Sequence, residues 1–423
     1  MEWDSLPARC TILAMPQERS LLDVLRNSLI RSDLPFRDFV ELALYHPEFG
    51  YYARPKSPIG REGDFITSPL LSPLFSDVLG NLIDEFMSRT GDGVSQVVDI
   101  GCGDGALIRA LAWGVGSGVS GVGESERQET RDQRSGEQLP SSSGNRQPLS
   151  SSPTPHTRLP TPQFIGFDRN LGRTVPDPRV TYVSSLAEIP PADARLIISN
   201  ELFDALPFAR LVQRDEHLHE LWVTEREGAL DWTEHEAEGR YEDYFAERGI
   251  VLEPGQFADV SLDWLDVYDE ICRLVPRGLI VTFDYGLPQS KLFRGRMRRF
   301  GTAAAYSGHR VSRDLLANPG EQDLTAHINF DDLIRTGESQ GLNTLFFDMQ
   351  AKFLLAQGAA EHPLLAPIGE AAIGSAEEGI ALLDAREDAK RLILPDGIGA
   401  EIRVLVQERG MGQDRWRFQT KLF

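Results

Sequence analysis

The stretch Gln96-Val97-Val98-Asp99-Ile100-Gly101-Cys102-Gly103-Asp104-Gly105 decides how this chain is read. A short apolar run ends at an acid and then breaks into alternating glycines. Such a run, bounded by glycine, predicts a buried parallel strand over 96–100. The residues after Gly105 predict a helix over 106–113. Glycines between strand and helix permit a tight turn and let a ligand approach the backbone closely.

Working outward, the spacing is GxGxG rather than GxGxxG. Asp99 puts a negative charge beside the loop, where a pyrophosphate would be repelled. A ligand with an amino group and a sulfonium, such as S-adenosylmethionine, suits that acid better than a dinucleotide does. The plain alternative is a glycine turn that holds nothing. A nucleotide-binding half also places an acid at the end of its next strand, about 20 residues on, to take ribose hydroxyls. Gln163–Phe167 reads as that strand and Asp168 follows it, 63 residues after Gly105. Residues 114–162 account for the excess: they contain no Phe, Tyr or Trp and are rich in Ser, Gly, Pro, Gln and Arg. Such a composition buries too little apolar surface to offset its ordering entropy, so a disordered insertion is expected there. Asp168 otherwise reads as a solvated acid at a strand end.

Further strands are expected at 180–183, 195–199, 278–283, 344–349 and 400–407, and helices at 262–275 and 330–340. Strand–helix alternation of this kind implies an α/β doubly wound sheet. Residues 208–232 alternate apolar and polar, which predicts an antiparallel hairpin excursion. Residues 21–45 and 370–392 read as helical. The chain divides into an N-terminal helical segment (20–92), a core (93–113 and 163–286) and the insertion. A last part (287–423) adds an accessory segment and completes the sheet.

The 423 residues carry 43 Lys and Arg against 64 Asp and Glu, a net charge of −21. That balance argues against a nucleic-acid or anionic-membrane partner, both of which need a basic face, and leaves room for cationic substrates. Cys10, Cys102 and Cys272 form no metal-binding or disulfide pattern, which suggests a reducing cytoplasm. No apolar run reaches the roughly 18 residues of a membrane span. The N-terminus resembles neither a secretory signal nor a mitochondrial transit peptide, and Met15 is an alternative start. No metal site is expected from His217, His219 or His235.

Longer motifs carry a family resemblance. They are 60–69 (GREGDFITSP), 200–207 (NELFDALP), 283–286 (FDYG), 301–306 and 320–327 (GEQDLTAH). Their order resembles the MidA-like S-adenosylmethionine-dependent methyltransferases. The mitochondrial member of that family is a respiratory complex I assembly factor that methylates an arginine of a core subunit. The resemblance runs from about residue 36 to 423, without the insertion. It implies a class I methyltransferase fold, Rossmann-like, with S-adenosyl-L-methionine as cofactor. The partner it implies is a protein substrate with an acceptor arginine, of the kind found in complex I. This chain departs in having Asp99 and Cys102 where the family has Glu and Pro, and Asp168-Arg169-Asn170 where Glu-Ser-Pro is frequent.

The resemblance also implies roles. Asp99, Gly101, Gly103, Gly105 and Asp168 would bind the cofactor. Asp64 and Thr67 would reach over its methionine end, and Ser184 and Ser185 would border its adenine. Glu201 would lie near the transferring methyl and Asp204 would orient the acceptor, with Asn200 beside them. The competing reading is a helix capped by Asn200 with acids in its first turn. Asp284 and Tyr285 would face the same crevice, and His309 and His327 would line the acceptor side or be structural. The basic run at 291–299 reads as a solvated loop or as a contact for an acidic partner. Two rival functions remain: a non-enzymatic cofactor-binding assembly factor, and a nucleotide-dependent oxidoreductase.

Overall fold

The computed structural model describes residues 20–54, 67–117, 161–295, 298–367, 375–412 and 414–419. The expected insertion falls almost wholly outside them, as does Asp64.

Helices α1 (Leu21–Leu29), α2 (Phe36–Tyr45) and α3 (Pro73–Thr90) come first. The start of α3 is written locally: Ser72 accepts from the Leu74 N–H, and Pro73 takes the first helical position. Next come β1 (Ser95–Ile100), α4 (Ala106–Ser117), β2 (Gln163–Phe167), β3 (Val180–Val183) and β4 (Ala194–Asn200). An antiparallel segment follows, with β5 (Ala209–Arg214), β6 (His217–Arg226), β7 (Ala229–Glu236), α5 (Gly239–Glu247) and β8 (Phe257–Val260). The chain returns through α6 (Asp263–Arg273) and β9 (Gly278–Leu287). It then forms β10 (Ala304–Ser307), β11 (Arg310–Ser312), β12 (Asp323–Thr325) and α7 (Phe330–Ser339). The last elements are β13 (Asn343–Met349), α8 (Gln350–Ala356), α9 (Ala376–Arg391) and β14 (Ile402–Arg409).

The principal sheet runs β13-β14-β9-β4-β1-β2-β3. Strands β9, β4, β1, β2 and β3 are parallel, while β14 is antiparallel to both β9 and β13. Its side chains alternate between two cores, as strand period requires. Val97, Leu196, Ile198 and Val281 pack under α3 and α4. Val98, Ile100, Ile197 and Ile280 pack with Trp264, Tyr268 and Ile271 of α6 and with α7. Burial on both faces explains why these strands read as unbroken apolar runs.

The antiparallel excursion extends past the expected 208–232. Strand β8 pairs with β5, so the segment closes only at Val260. A third core joins α1 and α2 to Phe208, Val223, Ala305 and Leu324. It holds the N-terminal helices beside the three-stranded sheet β11-β10-β12.

Candidate active site

The site forms where the parallel strands end, the edge at which open α/β sheets bind ligands. At the end of β1 the backbone turns sharply. The N–H groups of Gly101 and Cys102 both donate to the Phe167 carbonyl, at 2.8 and 2.9 Å. Gly103 has φ +56 and nothing within 4 Å of where a Cβ would sit, so its backbone faces open space. Its N–H donates to Asp168 Oδ2 at 2.9 Å, which ties the glycine loop to the end of β2. Asp104 Oδ1 accepts from the Ala106 N–H at 2.8 Å and starts α4. Asp99 is 2% exposed. Burial, then the neighbouring Asp168 and Asp104, push its carboxyl up to about 7. Burial also raises Asp168.

No helix follows β4. Glu201 takes a left-handed φ of +51, uncommon for a residue with a side chain. Its N–H donates to the Phe283 carbonyl at 2.8 Å. The next three N–H groups, of Leu202, Phe203 and Asp204, donate to the Asp284 carboxylate at 3.2, 2.8 and 3.3 Å. Tyr285 N–H is a fourth donor at 2.8 Å. Asp284 is therefore the anchor of this turn rather than a wall of the crevice. Burial pushes its carboxyl up to about 7 against those four bonds. Asp204 is buried against it, and burial followed by the Asp284 charge raises Asp204 well above the usual carboxylate range. The Glu201 carboxyl accepts from Asn200 Nδ2 at 3.1 Å. Burial, with the charge of Asp284 adding to it, pushes it up to about 8.

A cavity of about 430 Å³ opens between these two turns. Thr67, Asp99, Gly101, Gly103, Asp168, Asn200 and Glu201, all expected at the site, line it. Gly105, Ser184, Ser185 and Asp204 do not. Gly105 has φ +80 and lies under the Tyr182 ring, so it serves the turn into α4. Ser185 is committed to its own turn: its Oγ accepts from the Ala187 N–H at 3.2 Å, and Glu188 closes the capping box. Asp204 is spent in the buried pair with Asp284.

The sequence reading missed the aromatic wall. Tyr45 and Tyr52 line the cavity and stack at 5.5 Å between centroids. The Tyr45 hydroxyl donates to the Ala205 carbonyl at 3.0 Å, and the Tyr52 hydroxyl to Asp323 at 3.0 Å. The Arg169 and Arg173 guanidiniums sit over these two rings. The available signal was the pair Tyr51-Tyr52 just beyond an amphipathic helix, where aromatics with polar tips suit a half-wet wall.

The cavity fits an S-adenosyl cofactor on its own chemistry. It offers a close-approach glycine at Gly103, a carboxylate at Asp168 and two further acids for positive charge. Asn200 Oδ1 is buried and has no partner among the described residues, an acceptor left over for a ligand donor.

A family profile described as a putative S-adenosyl-L-methionine-dependent methyltransferase matches residues 152–347. Over that stretch, just under half of its length, the chain is similar to this methyltransferase family. The profile covers Asp168 and the Asn200–Asp204 turn of this chain, while the glycine loop precedes the match. A mitochondrial protein arginine methyltransferase homologue of Drosophila melanogaster is 25% identical over 332 residues, spanning 76% of this chain and 71% of that one. A mitochondrial protein arginine methyltransferase of Danio rerio is 25% identical over 350 residues, spanning 76% and 73%. A solved structure of a likely methyl transferase from Burkholderia thailandensis, bound to S-adenosyl-homocysteine, superposes with a TM-score of 0.72. It is 23% identical and covers 93% of this chain and 92% of its own, so the fold is the class I methyltransferase fold. The mitochondrial names of the two relatives overturn the expected cytoplasmic location. That expectation leaned on sparse cysteines, and the free thiols of Cys102 and Cys272 report on redox state rather than on compartment.

Proposed function

We propose that this methyltransferase acts on an arginine side chain of a protein, with Glu201 as the group that receives the acceptor. The names of the relatives support the substrate class. One observation carries the assignment of the residue: Glu201 lines the cavity from a strained turn, and its carboxyl is raised to about 8. S-adenosylmethionine, when bound, supplies an electrophilic methyl group on a sulfonium sulfur.

The chain supplies position and proton handling. Asp168 would hold ribose hydroxyls, while its bond to Gly103 keeps the loop backbone open to the ligand. Asp99 would complement positive charge at the strand end. A guanidinium entering beside Glu201 would favour the ionised carboxylate, because a charge-assisted pair offsets the burial that otherwise keeps it neutral. Glu201 then orients the acceptor and is placed to take the proton that a guanidinium nitrogen loses on methylation. A carboxyl near 8 suits a proton acceptor at neutral pH. Asn200 steers the Glu201 carboxyl through its 3.1 Å bond. The tyrosine wall narrows the access of water. The partner that the sequence resemblance implies is a subunit like those of respiratory complex I.

Glu201→Gln tests the role. It keeps the volume and the Asn200 contact but removes the proton acceptor. Transfer should fall by about 100- to 10,000-fold, with S-adenosylhomocysteine affinity, measured by calorimetry, nearly unchanged. A variant with near-normal transfer rates would remove Glu201 from the chemistry.

A further inference from the structure

Among the described residues, four acids line the cavity, Asp99, Asp104, Asp168 and Glu201, and two cations, Arg169 and Arg173. The acids suit the sulfonium and the amino group of S-adenosylmethionine. The cofactor also carries one anionic group, the carboxylate of its methionine end, which those acids repel. The two arginines are differently committed. Arg169 reaches Glu41 at 3.4 Å and sits over the Tyr45 ring at 5.2 Å. Arg173 has its Nε and Nη1 buried, with no hydrogen-bond partner among the described residues. What it meets is the face of Tyr52, whose centroid lies 5.6 Å from the guanidinium carbon. A guanidinium keeps its charge and has five N–H donors to satisfy. A ring face offsets part of the cost of burying it, and a carboxylate offsets far more.

The backbone fixes where Arg173 stands. The chain leaves β2 into a single 3-10 turn, Leu171–Arg173, where Asn170 Oδ1 accepts from the Gly172 N–H at 3.0 Å. The next two residues fasten this turn to the glycine loop. Thr174 Oγ1 donates to the Gly103 carbonyl at 3.1 Å, and the Val175 N–H donates to the Asp104 carbonyl at 3.0 Å. Asp168 lies on the same segment, but its two oxygens accept from the Asn170 and Gly103 N–H groups, at 2.9 Å each. On the other side, Tyr52 is held by its hydroxyl bond to Asp323. Arg173 therefore stands between the glycine loop and the tyrosine wall, with donors left over on the cavity.

We propose that Arg173 binds the carboxylate of the cofactor's methionine end and so selects cofactors with an intact amino-acid end. The inference rests on the cofactor assigned to this cavity and not on the identity of the acceptor. A guanidinium can give a carboxylate two parallel N–H bonds. A carboxylate of the protein substrate is the other source of such an anion. The cofactor fits better, because Arg173 is tied to the loop whose open backbone at Gly103 faces the ligand, while Glu201 receives the acceptor on the other turn.

The probes are S-adenosylhomocysteine and its decarboxylated analogue, which keeps the adenosine, the sulfur and the amine. Calorimetry on the full chain, without a protein substrate, reads both affinities. The wild type should bind S-adenosylhomocysteine about 10- to 100-fold tighter than the analogue, the range of a charge-assisted pair. Arg173→Gln should weaken S-adenosylhomocysteine by about that factor and hardly change the analogue, so that the preference vanishes. Arg173→Lys keeps the charge without the fork and should retain part of the preference. Ligand-free melting of Arg173→Gln should match the wild type. Equal binding of the two ligands by the wild type overturns the proposal and needs no variant; it would leave Arg173 to a carboxylate of the protein substrate. Equal weakening of both ligands in Arg173→Gln also overturns it, by showing a structural role, as does a preference that survives in that variant. A wild type that binds neither ligand would sink the cofactor assignment itself.

Discussion

Glu201, Asp99 and Asp284 are three carboxyls buried where the fold ionises them reluctantly, at about 8, 7 and 7. In the unfolded chain they ionise near 4. Each folded value is raised, so the stability they contribute is fully present below about pH 4 and is lost as pH rises through 7 to 8. The ligand-free protein should therefore melt lower at pH 8 than at pH 5, by roughly 5 °C or more. Glu201→Gln should shrink that fall. Calorimetric scans at several pH values check both, and a melting temperature that is flat or rises across the window would contradict the burial account. At this scale the sequence was informative for Asp99, Gly103 and Asp168, because strand ends and glycine turns are local signals. It placed Asp284 at the crevice but gave no sign of its anchoring role, because three of its four backbone donors come from a turn some 80 residues earlier in the chain.

At the scale of the element, the turn 201–204 is the least ordinary part of the site. Four N–H groups of its surroundings have one carboxylate to satisfy them. Removing it with Asp284→Ala strands them in a buried place and should destabilise the protein by about 2–4 kcal/mol. Asp284→Asn keeps one acceptor oxygen and loses the charge pressing on Asp204, so it should cost less than half as much. Urea unfolding of both variants checks this, and equal losses would mean that the turn is held by something else. The sequence allowed a helix capped by Asn200 here, because Asn followed by acids is a sound helix start. The structure forms none, since Asp284 captures the donors that a helix would leave free. The direction of β14 was equally hidden. Its run Ile402–Arg409 is buried on both faces, and an apolar run reads the same whether it enters a sheet parallel or antiparallel.

At the scale of the molecule, the strand order was legible once residues 114–162 were set aside, because their composition separates them from the flanks. What was not legible is how the N-terminal helices and the sheet β11-β10-β12 meet through a shared core to bring Tyr52 against Asp323. Such contacts join residues more than 250 positions apart and leave no periodic trace. The acidity of the chain also gains a location. Asp99, Asp168, Glu201, Asp204 and Asp284 gather where the parallel strands of the principal sheet end, and Asp323 reaches the same region through its bond with Tyr52. That concentration of acids is what a cationic cofactor and a cationic acceptor would meet.

The central claim is that the chain transfers a methyl group to arginine in a protein, through Glu201. Incubating the full-length protein with isotopically labelled S-adenosylmethionine and a cell lysate, followed by mass spectrometry of the labelled peptides, tests it most directly. The account predicts label on an arginine side chain, dependent on the wild-type protein and absent with Glu201→Gln. Label confined to another residue type, or equal labelling by Glu201→Gln, would contradict it.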